Sequence, residues 1–237
     1  MTMRVFTVAQ MQDAERRTET EFGVSLWTLM QRAGRGLAQT ARDMLGESPG
    51  TVWVFCGSGN NGGDGYVCAS VLRGWDLPVA VFAGPHAPAD GGLAAMARDE
   101  WLASGGEGTE VAPPDKPALI VDAIFGTGLG RPVTGVYAEM IDVINRLDVP
   151  VLACDVPSGV AGDTGEIMGV AVRATKTLMM GLAKPACQLP PGSEYFGELE
   201  VCDILPAQLV AGLLGSVLPA HYSSGRRRSH RRSIGDR

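Results

Sequence analysis

Four short runs of continuous apolar residues most constrain what this chain can fold into: "TVWVF" (51–55), "PVAVFAG" (78–84), "ALIVDAIFG" (118–126) and "PVLACDV" (150–156). Strands that alternate apolar and polar residues cover one face of a sheet. Strands that are apolar throughout are buried on both faces, as parallel strands are. Stretches of helical length separate these runs: "YVCASVLRGW" (66–75), residues 89–103 and residues 136–148. Alternating strand and helix predicts a mostly parallel, doubly wound α/β sheet with helices on both faces. "VRATKTLMMG" and "ELEVCDI" read as two further strands.

Two helices precede the sheet. Thr7 and Gln10 have capping-box spacing, so a first helix should run to about Phe22 and stop at Gly23. Ser25 caps a second, closed by Gly46, in which Leu26, Leu29, Met30, Ala33, Leu37, Ala41 and Leu45 recur at helical spacing. A chain of 237 residues with 45% hydrophobic and 19% charged residues is an ordinary globular domain, here taken as residues 1–220.

The formal net charge is −6, but Arg226–Arg237 holds six Arg and one Asp, which leaves −11 on the remainder. An acidic body lacks the Lys and Arg that phosphate contacts need, which argues against nucleic acid as a partner. No apolar run approaches the roughly 20 residues of a membrane span, and the N-terminus has no apolar signal core. The five cysteines (Cys56, Cys68, Cys154, Cys187 and Cys202) are odd in number and form no CxxC pair. They are expected as reduced, buried thiols of a cytoplasmic protein rather than as a zinc site or disulfide framework.

In a parallel sheet, ligands bind beyond the C-terminal ends of the strands. The first strand is followed by "GSGNNGGDG" (57–65), the third by a loop that starts at Asp122 and runs on as "FGTGLGRPVTG", and the fourth by "DVPSGVAGDTG" from Asp155. Gly57-x-Gly59-x-x-Gly62 has the spacing of the dehydrogenase dinucleotide fingerprint. Its context fails, because the second strand ends in Ala83-Gly84-Pro85-His86 with no acid to hold a ribose. Asp64 would also repel a pyrophosphate at that helix start. Taken singly, a glycine turn or a strand-end Asp is as well explained by a tight turn or a helix cap. Asp64 itself is a candidate cap for a helix starting near Tyr66.

Taken together, the three loops offer more. Amides of Gly62, Gly63 and Gly126-Thr127-Gly128 can donate to phosphate oxygens. Asn61, Asp122 and Ser158 are oxygen donors suited to a hard cation, and Asp155 is a proton-transfer candidate. His86, His221 and His230 stand away from these motifs, and Tyr66, Phe125 and the four tryptophans are read as packing residues.

"CGSGNNGGDGYVCASVL", "VDAIFGTGL" and "DVPSGVAGDTGE", in that order, resemble the NAD(P)H-hydrate epimerase family. "SLWTLMQRAG" and "ATKTLMMGLAKPACQLPPGSEYFGELEVCDI" extend the match to roughly residues 5–205. The resemblance implies a Rossmann-like fold and an isomerase that interconverts the S and R epimers of hydrated NADH and NADPH. It implies nucleotide contacts from Asn60, Asn61, Gly62, Gly63 and Asp64, and from Gly126, Thr127, Gly128, Leu129, Gly130, Arg131 and Pro132. It further implies Asp155 at the ligand, a potassium ion on Asn61, Asp122 and Ser158, and a homodimer. Asp155 would donate the proton with which hydroxide leaves C6, and Lys184 would be its charge partner.

A scaffold of the same fold would be expected to lose these site residues, whereas all are present. Family members are often fused to an NAD(P)H-hydrate dehydratase. "RRRSHRRSIG" is similar to the opening of that domain but lacks its Lys-Gly, so residues 221–237 are expected as a basic, disordered tail and any dehydratase partner as a separate chain.

Overall fold

The computed structural model describes residues 3–46, 50–108 and 116–215. The basic stretch 221–237, with His221 and His230, lies outside them. Helices α1 (Val8–Phe22) and α2 (Leu26–Leu45) lead into β1 (Val52–Cys56), α3 (Asn60–Gly74), β2 (Val79–Ala83), α4 (Leu93–Ala103), β3 (Leu119–Ala123), α5 (Val136–Arg146), β4 (Val151–Cys154), β5 (Lys176–Met180), β6 (Glu198–Cys202) and α6 (Ala207–Leu214). The six strands form one sheet in the order β2-β1-β3-β4-β5-β6, and every pairing is parallel.

The apolar strands divide their residues between two layers, as the two-residue strand repeat requires. Val52, Val54 and Cys56 face a core built with α1, α2, α3, α4 and α6. Trp53 and Phe55 face a second core that contains α5. A third cluster around Met179 and Phe196 closes the far end beneath β5. A parallel bridge between Val81 and Gly108 extends the sheet past β2, which accounts for α4 remaining on the same side as α3.

The N-terminal expectations hold in detail. Thr7 and Gln10 form the reciprocal capping box, and Gly23 ends α1 at φ 64°. Ser25 caps α2 through the Thr28 amide. The start of α1 is tied to the far side of the chain: the Phe6 amide donates to Ala183 O at 2.8 Å, and the Val8 amide to Asp163 Oδ1 at 2.7 Å.

The largest departure from expectation is α3. It begins at Asn60, not near Tyr66, so "NNGGDG" is the first turn and a half of a helix and Asp64 lies inside it rather than capping it. Glycine is a poor helix former in isolation, but here the missing side chains are what let the helix pack. A Cβ at Gly62 would collide with the Gly57 carbonyl oxygen, one at Gly63 would lie 2.6 Å from Met30 of α2, and one at Gly65 would lie 2.7 Å from Ala123 of β3. Close packing outweighs propensity. Helix α4 also starts later than expected, at Leu93, after a turn in which Gly91 takes φ 72°. Helix α6 and the 3₁₀ turns at Pro185–Cys187 and Gly192–Tyr195 carry no strong periodic signal in the sequence.

The order β2-β1-β3 reverses direction between β1 and β3, and the two strands' exits are in direct contact. The Gly57 amide donates to Ala123 O at 3.0 Å, and a Cβ on Gly57 would meet the Ile124 carbonyl oxygen. Gly57→Ala is therefore expected to lower the unfolding free energy by roughly 1–3 kcal/mol, the usual cost of overpacking. Chemical denaturation checks this, and an unchanged midpoint would show that the two loops separate freely.

Candidate active site

The crevice at that reversal, where α/β sheets place their ligands, holds a cleft of about 470 Å³. Its walls come from α1 and α2, the start of α3, the segment after β3, the end of β4 and the segment after β5. Of the residues singled out in the sequence, Asn60, Asn61, Asp64, Gly126, Thr127, Gly128, Leu129, Gly130, Arg131, Asp155 and Lys184 line it. Gly62, Gly63, Asp122 and Ser158 lie buried beneath the lining, and Pro132 lies beyond its rim.

Helix α3 points its start into this cleft. No side chain caps it, and the first intrahelical bond runs from the Gly63 amide to Gly59 O at 3.1 Å. The amides before Gly63 are thus the unsatisfied donors that a helix start offers an anion. Gly63, expected to donate to phosphate, has its amide committed to the helix.

Beneath the lining, the exits of β3 and β4 are joined by one buried cluster. Ser158 donates from Oγ to Asp122 Oδ1 at 2.5 Å and from its amide to Asp122 Oδ2 at 2.8 Å. The Ile124 amide donates to Asp122 Oδ1 at 3.3 Å, and the Phe125 amide to Ser158 Oγ at 2.8 Å. The Asn61 side chain stands against Gly126, where an added Cβ would lie 2.9 Å from Asn61 Oδ1. Asn61, Asp122 and Ser158 therefore converge on the segment 124–126. Burial pushes Asp122 up to about 6, with the Ser158 and Ile124 hydrogen bonds opposing the rise. Among the described residues Asp122 has no cationic side chain beside it, and Asn61 Nδ2 is buried without a partner.

Asp155 and Lys184 form a buried ion pair in the cleft. Lys184 is 1% exposed, and its ammonium pairs with Asp155 Oδ1 and donates to Met180 O at 2.7 Å. The Met180 amide donates to the same Asp155 oxygen at 3.1 Å. Asp155 holds its place at φ 66°, a left-handed conformation uncommon outside glycine and a mark of sites where the surroundings override local preference. Burial raises Asp64 well above the ordinary carboxyl value, and the negative charges of Asp155 and Glu15 raise it further. Its one side-chain partner among the described residues is the Cys154 thiol, 3.9 Å away.

Glu15 escaped sequence reasoning, as did Gln12 and the apolar shelf of Met11, Leu26, Leu29 and Met30. A signal was present. Met11, Ala14 and Thr18 form the buried face of α1, and Glu15, one turn on from Met11, is a carboxylate on that face.

Comparison with known proteins identifies the family. The family model described as YjeF-related protein N-terminus matches residues 27–186. A Limosilactobacillus reuteri protein named NAD(P)H-hydrate epimerase is 35% identical over 206 residues, covering 86% of this chain and 96% of that protein. A Bordetella pertussis protein of the same name is 38% identical over 189 residues, covering 76% of this chain and 82% of that one. The Bifunctional NAD(P)H-hydrate repair enzyme Nnr of Thermofilum pendens is 37% identical over 213 residues, and the match spans 84% of this chain but 40% of that longer protein. The crystal structure of yeast ynu0 superposes with a TM-score of 0.78 at 22% identity, covering 94% of this chain and 98% of that one, which shows a common fold. The matched span takes in β1 to β5 and the segments that follow β1, β3 and β4, and on that ground the chain belongs to the family of YjeF-related protein N-terminal domains.

Proposed function

We propose that this protein epimerises hydrated NADH and NADPH at C6 of the nicotinamide ring. The observation that carries the reading is the buried Asp155–Lys184 pair in a cleft that also offers helix amides and glycine-rich backbone beside it. The relatives' names and the family membership support it.

The chemistry asks little of the protein. C6 carries a hydroxyl and is bonded to the ring nitrogen. When the hydroxyl takes a proton and leaves as water, the nitrogen lone pair closes a double bond to C6. Water then returns to the opposite face, and its surplus proton goes back to a base. No electron is exchanged with a second molecule and no bond of the nucleotide backbone breaks. Asp155 would carry the proton, and the buried Lys184 would balance its charge. The apolar shelf from α1 and α2 suits the ring, and the start of α3 with the rim 126–131 suits the pyrophosphate.

The donor set of Asn61, Asp122 and Ser158 fits a hard cation. All three offer oxygen, and the fully buried Asp122 has no counter-charge among the described residues. A potassium ion held there would supply positive charge close to an anionic substrate. The same reading places the protein in the cytoplasm, with a hydrate dehydratase acting on its product. The five unpaired cysteines suit that compartment, and among the described residues no helix is long and apolar enough to cross a membrane.

Separated S and R hydrates, followed by chromatography, should each relax to a common ratio when the protein is added, with no loss of reduced nicotinamide. Asp155→Asn should slow this at least about 100-fold, the lower end of a general acid–base contribution. A wild-type protein that leaves the ratio untouched points to a scaffold, and one that consumes NADH points to an oxidoreductase. Separately, replacing choline chloride with potassium chloride at equal ionic strength should raise the melting temperature of the wild type by mass action. The rise should be lost in Asp122→Asn. Equal melting in both salts would remove potassium from the account.

A further inference from the structure

An epimerase at a carbinol carbon faces a constraint that a single acid does not meet. Hydroxide leaves from one face of the ring and water arrives at the other, so proton transfer is needed on both faces. Asp155 and Lys184 both approach from the sheet edge. A second proton carrier has to come from another wall.

We propose that Glu15 of α1 is that second group, a catalytic carboxyl that serves the ring face opposite Asp155. This rests on the epimerase reading. Glu15 lines the cleft from α1, whereas Asp155 lines it from the end of β4. It sits on the buried face of α1, where a carboxylate breaks the helix's own apolar pattern. Among the described residues it forms no hydrogen bond or ion pair, unlike Arg17 and Glu21 of the same helix, which pair with each other. Its place is fixed: α1 is anchored by the Phe6 amide on Ala183, next to Lys184, and Met11 packs at Gly181. The two carboxyls also have different surroundings. Asp155 accepts from the Lys184 ammonium and the Met180 amide, whereas Glu15 has no such partner among the described residues. Burial and then the charge of Asp155 raise Glu15, with Lys184 opposing. Paired carboxyls in unlike environments are the usual way one site holds an acid and a base together.

The step balances. With the hydroxyl on the Glu15 face, the Glu15 carboxyl protonates it, the C6–O bond breaks to release water, and the ring nitrogen's lone pair forms the N1–C6 double bond. Water attacks C6 from the other face, its proton passes to the Asp155 carboxylate, and the double-bond pair returns to N1. The enzyme is left with its proton on Asp155, which is the state needed to run the reaction on the other epimer. Partly exposed Glu15 also resets by exchange with solvent.

The test uses Glu15→Gln in the full chain with separated epimers in heavy-oxygen water. Asp155 alone can release and return water on its own face. In the variant, label should therefore enter one epimer at close to the wild-type rate while interconversion falls about 100-fold or more. Glu15→Asp, which keeps a carboxyl on a shorter arm, should retain more interconversion than Glu15→Gln. Interconversion by Glu15→Gln at the wild-type rate would overturn the proposal. So would exchange and interconversion falling in equal proportion, or equal loss in the Gln and Asp variants. A wild-type protein that does not interconvert the epimers would instead overturn the epimerase reading.

Discussion

The ion pair between Asp155 and Lys184 is the constraint on which the site depends. Removing two charges from water costs several kcal/mol each, and a buried pair recovers this only with good geometry and further hydrogen bonds. Here the further bonds come from Met180, whose amide and carbonyl both engage the pair. The ends of β4 and β5 and the 3₁₀ turn at Pro185 are thereby locked to one another, and α1 is locked to them through Ala183. A pair so placed is weak evidence for stability and better evidence for position. An apolar pair of similar size would pack the same space without fixing a carboxylate at the mouth of a strand in a left-handed conformation.

The second dependence is on the absence of side chains. Three glycines in the first turns of α3 let it press against the β1 exit, against α2 and against β3. That contact brings an uncapped helix start and Asn61 to the segment that follows Asp122. Glycine here buys proximity rather than flexibility. The motif that looks like a loop for wrapping a phosphate is a helix that has been stripped so that it can approach.

Much of this was legible in the chain. Continuous apolar runs gave a parallel sheet because only burial on both faces selects them, and caps at Thr7, Ser25 and Gly23 set helix limits that the structure keeps. The convergence of three loops followed from the rule that strand exits in such a sheet share one edge. The start of α3 was not legible, because local propensity argues against helix at "NNGGDG" and the packing that overrides it involves α2, β3 and the β1 exit. Nor was Glu15. An acid on the inward face of an N-terminal helix has meaning only once α1 is known to lie over the sheet's edge, and that follows from the Ala183 and Asp163 contacts, far away in sequence.

The charges in the cleft bear on how a dinucleotide hydrate would lie. Glu15, Asp64 and Asp155 gather around one ammonium, so the region near Lys184 is hostile to phosphate. The cleft also presents unpaired helix amides at the start of α3 and the exposed Arg131 at a glycine-rich rim. For a molecule with an anionic middle and a neutral ring at its end, the helix amides would suit the anion and the apolar shelf of α1 and α2 the ring. The carboxyls that repel phosphate are the groups that a carbinol centre needs, which explains how a sequence resembling a cofactor-binding fingerprint can carry acids where a dehydrogenase tolerates none. The acids select which part of the nucleotide reaches them.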